Sequence, residues 1–256
     1  MMMMPPPPQF TKDGFLGGRL RLRQPAAGYR AGVDPVLLAA SIPAKPGQRV
    51  LELGCGVGTA LFCLGHRVTG LALTGVELQP LYADCARRNA ADNNIAAQVV
   101  EADLSDLPSS IRQIRYHHVL ANPPYFLRDQ GTPSVEVGRE IALGEQTPLA
   151  LWVHTAAKRL EPGGFATFIQ RADRLEQMLS LMAQHLGSLQ VLPFAPRLGR
   201  DCHLVLVRGR KAGRAALRLH APVILHQAEA HLQDGKDYCP SVSAVLRDGQ
   251  PLYFPQ

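Results

Sequence analysis

From about Gln48 onward, short apolar runs rich in β-branched residues alternate with helix-length amphipathic stretches. That alternation predicts βαβ units and a parallel sheet. Strands are expected near residues 49–53, 71–77, 97–101, 117–121, 164–170, 188–194 and 203–208, and helices over 59–66, 80–92, 147–160 and 173–186. Pro80 and Pro148 stand where a first helical turn tolerates a missing N–H, Asp173 is a candidate N-cap, and Gly163-Gly164 after Pro162 breaks the chain before the next strand. The last two strands are joined through Pro196 and Gly199 by a connection too short for a helical crossover, so they should pair antiparallel. The expected fold class is α/β: a doubly wound, Rossmann-like sheet of seven strands, six parallel and one antiparallel, with ligands at the carboxyl ends of the strands.

Before this sheet, Arg19-Leu20-Arg21-Leu22-Arg23 alternates with period two, which predicts a surface strand with one apolar face and one row of guanidinium groups, a short N-terminal β extension. After it, residues 217–227 read as strand-like and 241–247 as a short terminal helix. Four regions follow: a disordered leader over 1–13, an extension covering the ligand site over 14–48, the α/β domain over 49–210 and a C-terminal appendage over 211–256.

Composition narrows the class. With 256 residues, 46% hydrophobic and 19% charged, the chain can bury a full core without staples and is not disordered in bulk. The longest apolar run, Val36 to Ile42, is far short of the roughly 18 residues of a membrane span, so no membrane partner is expected. Five cysteines, an odd number with no Cys-x-x-Cys pair, argue against a disulfide framework or zinc site and for a reducing cytoplasm. The formal charge of +6 gathers in two places. Arg19, Arg21, Arg23 and Arg30 stand without an acid between Gly14 and Val33, and seven basic residues face only Asp201 from Arg197 to Arg218. Such strips suit a polyanion such as RNA, or are solvated faces with no partner.

Four strand ends carry chemistry. Val50-Leu51-Glu52-Leu53-Gly54-Cys55-Gly56-Val57-Gly58 runs from a strand into a glycine turn that opens a helix, where a ligand lies against backbone with no Cβ in the way. No glycine completes the dinucleotide spacing, so a nucleoside with an uncharged linker fits better than NAD. Some twenty residues on, Gly75-Val76-Glu77 places a carboxylate to accept both hydroxyls of a ribose. Glu101-Ala102-Asp103 ends the third strand with an acceptor suited to an adenine amine. The fourth ends in Ala121-Asn122-Pro123-Pro124-Tyr125-Phe126. There the Asn122 amide oxygen and the Pro123 carbonyl can take both hydrogens of a planar amine while Tyr125 stacks on its ring. Acceptors that hold such an amine off its plane localise the lone pair as charge develops.

In this combination the chain resembles the class I S-adenosylmethionine-dependent methyltransferases. Within them, from about Phe15 to Arg210, it is similar to the bacterial tRNA(Val) adenine-N6 methyltransferase family, which carries Asn-Pro-Pro-Tyr. Gly28 to Asp34, the Glu52–Gly58 turn, Gly75-Val76-Glu77-Leu78 and Glu101-Ala102-Asp103-Leu104 share the likeness. The resemblance implies S-adenosyl-L-methionine as cofactor, bordered by Tyr29, Arg30, Gly32, Glu52, Gly54, Cys55, Gly56, Glu77, Leu78, Ala102, Asp103, Leu104 and Asn122. It implies catalysis by Asn122, Pro123 and Tyr125, and a tRNA substrate held by Pro124, Tyr125, Phe126, Arg19, Arg21, Arg23 and Arg200, with no metal. Val33 stands where some members carry a hydroxyl residue. The reaction would be an in-line displacement needing alignment rather than a general base. The segment from Arg128 to Gln146 would be a lid or RNA-contacting loop. Three other readings stay open: a glutamine N5-methyltransferase acting on release factors, a small-molecule N-methyltransferase and a non-catalytic RNA-binding module. His117 and His118 are expected at a surface edge, Cys55 as filler beneath the turn, and Trp152 in the core.

Overall fold

The computed structural model describes residues 9–124, 147–227 and 237–255. Two antiparallel strands, β1 (Phe10–Phe15) and β2 (Leu20–Pro25), lead into α1 (Asp34–Ser41). The α/β unit follows with β3 (Arg49–Leu53), α2 (Thr59–Arg67), β4 (Ala72–Glu77), α3 (Pro80–Asp92), β5 (Ala97–Glu101), α4 (Ser109–Arg112) and β6 (Tyr116–Ala121). Then come α5 (Leu149–Arg159), β7 (Leu160–Arg171), α6 (Leu175–Ala183), β8 (Gly187–Ala195) and β9 (Leu204–Arg210). Their order in the sheet is β5-β4-β3-β6-β7-β9-β8. Only β9 runs against the rest, because its short link to β8 allows nothing else.

The outer edge of β8 adds two pieces, β10 (Arg218–Leu219) and β11 (Val223–Ile224), each parallel to it. Among the described residues the sheet thus has these two short pieces beside the seven strands expected. Two-residue strands carry no measurable period, so nothing in the pattern separates them. The terminal helix α7 (Pro240–Asp248) closes the described chain.

The sheet is buried on both faces, which is why its central strands are nearly continuous apolar runs. Leu37, Leu61, Phe62, Leu192 and Phe194 fill one side. Leu51, Val119, Val153, Phe168 and Met178 fill the other. Trp152 joins the second cluster, as expected. No helix among the described residues is long and apolar enough to cross a membrane.

Several local expectations change. Residues 10–13, assigned to a leader, form most of β1. Pro148 is the N-cap of α5 and not its first helical residue. Asp173 lies in a 3-10 turn and accepts from the Arg171 guanidinium at 2.7 Å, so it caps no α-helix. His118 is not at a surface edge. It lies inside β6, 4% exposed, with Nε2 3.0 Å from Gln48 Oε1. Burial, with His117, Arg208 and Arg67 nearby, lowers its pKa to about 4. Below the ordinary value of 6.5 the unfolded chain takes a proton that the folded chain refuses, so stability present above that pH is lost as pH falls toward 4. The loss between pH 7 and pH 5 should be about 2 kcal/mol in urea melts. His118→Gln should flatten it, and an unchanged pH profile in that variant would refute the assignment.

Asn89 is the buried tie between the hairpin and the sheet's helices. Leu20 and Leu22 are buried, and fully buried Asn89 of α3 accepts from the Arg23 N–H at 2.7 Å and donates to the Arg23 and Val57 carbonyls, both at 3.0 Å. It ties hairpin, helix and glycine turn together. Asn89→Ala strands a backbone donor and two carbonyls and should cost about 3 kcal/mol. Equilibrium unfolding should show a lower midpoint with unchanged slope, and a wild-type midpoint would sink the idea.

Candidate active site

The turn after β3 needs three left-handed residues in five. Gly54, Gly56 and Gly58 have φ of 61°, 54° and 88°. At Gly58 a Cβ would meet the Phe62 ring at 2.1 Å, so only glycine fits. Above Gly56 nothing among the described residues approaches within 4 Å, leaving that side of the backbone open to them. Glu52, 3% exposed, sits beneath the turn, where Oε2 accepts from the Leu61 N–H at 2.9 Å and so caps the first turn of α2. Burial pushes its carboxyl well above the usual range, against the bond from Leu61.

Glu77 ends β4 directly beside this turn. Its Oε2 accepts from the Gly56 N–H at 2.8 Å and its Oε1 from the Gln79 N–H at 2.9 Å. Burial raises its pKa, opposed by those N–H groups. Cys55 is buried below, and a Cβ on Gly75 would touch its sulfur at 2.7 Å. Burial first, then the charges of Glu52 and Glu77, holds its thiol protonated, which suits filler and not a nucleophile.

After β5, Asp103 is exposed and its Oδ1 accepts from the N–H and hydroxyl of Ser105, both at 2.7 Å. The N–H bond, then the hydroxyl, lowers its pKa. Ala102 bonds its N–H to the Glu77 carbonyl at 2.9 Å, Leu104 is buried, and Leu78 is 42% exposed at the edge. These strand ends stand side by side because β5, β4 and β3 are neighbours in register.

Next to β3 lies β6, so Asn122, Pro123 and Pro124 emerge beside the glycine turn. The Asn122 amide nitrogen donates to the Tyr29 hydroxyl at 3.2 Å, and the Tyr82 hydroxyl donates to the Tyr29 carbonyl at 3.2 Å. Thus the segment before α1 folds back over the end of β6. Asn122 Oδ1 is buried and has no hydrogen-bond partner among the described residues. A buried acceptor in that state costs about 1–3 kcal/mol, which is reason to expect a donor from a ligand. Tyr125, Phe126 and the segment from Arg128 to Gln146 lie outside the described residues.

The arginines divide. Arg30 places Nη2 2.9 and 2.8 Å from the two Asp13 carboxylate oxygens, so it fastens the covering segment to β1. Gly32 is exposed. Arg19 donates to the Arg247 carbonyl at 2.6 Å and pairs with Asp248 at 3.3 Å, locking the β1–β2 turn to α7. Arg21 and Arg23 run beside Asn93 and Asn89. Because α3 returns from the site end of β4 at 1.5 Å per residue, Asn93 lies about 20 Å from that end. Arg19 and Arg21 therefore sit at the opposite pole from Asn122, and Arg23 stacks on Phe10 at 5.7 Å. The backbone of Arg23, by contrast, is joined through Asn89 to Val57 of the glycine turn. Arg200 does stand at the site pole, exposed on the β8–β9 turn.

Two positions escaped the sequence reading, Asn89 and Tyr82. Both fall on the apolar stripe of α3 with Ala86. A polar residue at that spacing was the available signal.

Known proteins resemble this chain in sequence and in fold. Residues 32–195 match the model of the methyltransferase small domain. The chain is 30% identical over 196 residues to a Porphyromonas gingivalis tRNA1(Val) (adenine(37)-N6)-methyltransferase, covering 71% of this chain and 76% of that one. It is 26% identical to a protein of the same name from Dickeya chrysanthemi, over 94% and 95% of the two chains. Among solved structures it superposes on a predicted O-methyltransferase from Agrobacterium tumefaciens with TM-score 0.71 at 24% identity, covering 87% of this chain and all of that one. A Thermus thermophilus 16S rRNA methyltransferase solved with AdoMet and guanosine gives 0.57 at 20%, over 79% and 50%. At those identities the structures speak for the fold.

Proposed function

This chain belongs to the methyltransferase small domain family, and from that premise we propose that it methylates the exocyclic N6 amine of an adenine in tRNA. The observation that carries the reading is Asn122 Oδ1, a buried acceptor with no described partner at the end of β6 beside the glycine turn. The relatives' printed specificity, adenine 37 of tRNA1(Val), is the first substrate to test. A tRNA substrate supports a cytoplasmic location for the enzyme.

The residues present fit the cofactor S-adenosyl-L-methionine. Gly56 leaves open backbone above the turn. Glu77 would take the ribose hydroxyls, with Asp103 and Leu78 at the adenine. Bound there, the cofactor supplies an electrophilic methyl group on a sulfonium.

The protein's own part is alignment. Asn122 Oδ1 and the Pro123 carbonyl would accept the two hydrogens of the target amine and draw its lone pair out of the ring's conjugation. Neither acceptor titrates near neutrality, so the surplus proton of the product passes to solvent. The Tyr29 hydroxyl accepts from the amide nitrogen of Asn122, which would leave Oδ1 for the substrate. Tyr29→Phe should lower kcat about tenfold, the worth of one hydrogen bond of about 1.4 kcal/mol, with KM for the cofactor unchanged. A shift confined to KM would instead make Tyr29 a binding residue.

The test of the whole reading is labelled cofactor with bulk tRNA from a strain lacking its homologous enzyme. N6-methyladenosine in the digested nucleosides is expected. Label found in release-factor glutamine or a small molecule, with none in tRNA, would overturn it.

A further inference from the structure

The second basic strip is split by the fold. Arg197 and Arg200 lie on the β8–β9 turn at the site pole, where Arg197 pairs with Asp237 at 3.1 Å. The remainder lies at the other end of the same strands. There Phe165 of β7, Ser188 and Gln190 of β8, Arg210 of β9 and Arg218 of β10 line a cavity of about 210 Å3.

Its chemistry has one sign. No acid occurs from Leu204 to Gln227, and none of Arg208, Arg210 and Arg218 is ion-paired among the described residues. Arg208 is clamped between two rings, 5.2 Å from the Phe165 centroid and 4.0 Å from that of Phe254, and donates to Gln190 at 3.0 Å. Arg210 lies 5.7 Å from the Phe165 centroid and donates to the Gly163 carbonyl at 3.1 Å. Burial and the nearby Arg218 charge lower the pKa of Arg208 to about 10, which leaves it charged at neutral pH. Like charges held together without a counter-ion are costly unless an anion joins them. Guanidinium forks fixed in advance by stacking and hydrogen bonds lose little freedom on gripping a phosphate.

Reach decides the partner. Phe165 pairs with His118, four residues below Asn122, and β8 is the third strand from β6. At 3.3 Å per residue and 4.8 Å per strand, the cleft lies about 20 Å from the reacting amine. A small substrate cannot span that distance, whereas the backbone of a folded RNA can.

Resting on the proposed tRNA activity, the geometry points to a second contact: the cleft lined by Arg210 and Arg218, with Arg208 stacked beneath Phe165, grips backbone phosphates of the same tRNA at a distance from the methylated base. It serves affinity and orientation, not chemistry. Arg210 and Arg218 are exposed, so their substitution leaves the core intact.

The experiment compares the full chain with its Arg210→Glu/Arg218→Glu variant and with Arg210→Lys/Arg218→Lys. The glutamate pair should weaken whole-tRNA binding at least tenfold and reduce the magnitude of the salt slope of log affinity by about 1.5, since each phosphate contact contributes about 0.7–0.9. The lysine pair should keep the slope. Methylation of a short anticodon-loop oligonucleotide and cofactor affinity should be unchanged in both, which excludes misfolding as the cause. Equal tRNA affinity and slope in wild type and the glutamate pair overturns the inference, as does binding of AMP at the cleft with tRNA binding unaltered. If the wild type methylates no tRNA, the activity itself is wrong and this inference falls with it.

Discussion

Replacing Asn122 by alanine should lower kcat by about 10²–10³ and kcat/KM by the same factor, with cofactor affinity within about threefold of wild type. The expectation follows from where the interaction is realised. In the ground state the adenine amine is planar and only weakly needs Oδ1. As its lone pair turns toward the methyl carbon the N–H hydrogens become more positive, and a buried acceptor such as Asn122 Oδ1 strengthens then. Single-turnover methylation with saturating tRNA separates this from a loss of binding. An alanine variant with wild-type kcat would remove Asn122 from the chemistry and leave the non-catalytic RNA-binding reading in its place.

The second large effect is structural and lies in the glycine turn. Gly54→Ala would put a methyl group 2.4 Å from Trp152 Cη2 and 2.8 Å from Cζ3, at a φ of 61°. The Trp152 ring is buried and donates its indole N–H to the Thr147 carbonyl at 3.2 Å, so it is not free to swing away. Left-handed strain and overpacking together should cost about 3 kcal/mol, a fall in Tm of about 5–10 °C. Cofactor affinity should fall more than tenfold, because Gly56 and the Glu77 bond to it move with the turn. Adding Trp152→Leu should recover part of the stability, since the two changes share one contact. Wild-type Tm in the single variant would show that the turn is slack, against the reading given to all three glycines.

The chain's local order reveals much of this site. Residues 49–53, 80–92 and 97–101 read as strand, helix and strand form β3, α3 and β5 with those bounds, because in each the apolar pattern and the breaking residues act over one turn or one pleat. The strand-end groups Gly54–Gly58, Glu77, Asp103 and Asn122 converge for the same reason: in a parallel sheet every strand ends at the same pole. Shorter-range signals gave out at β10 and β11, whose two-residue pairing rests on β8 alone.

Charged and polar side chains behave differently. Arg19 is engaged by Arg247 and Asp248, Arg30 by Asp13 and His118 by Gln48. Each partner is distant in sequence, and a period-two alternation says which face of a strand is polar but not what that face meets. By itself, then, the sequence determined the class of fold, the pole at which the strand-end motifs gather and the residues that end there, since these depend on periodicity and turn stereochemistry. Only the tertiary structure decided which arginines are consumed as struts and which remain open to a phosphate, because ion pairs and buried hydrogen bonds form between elements that only packing brings within 3–4 Å.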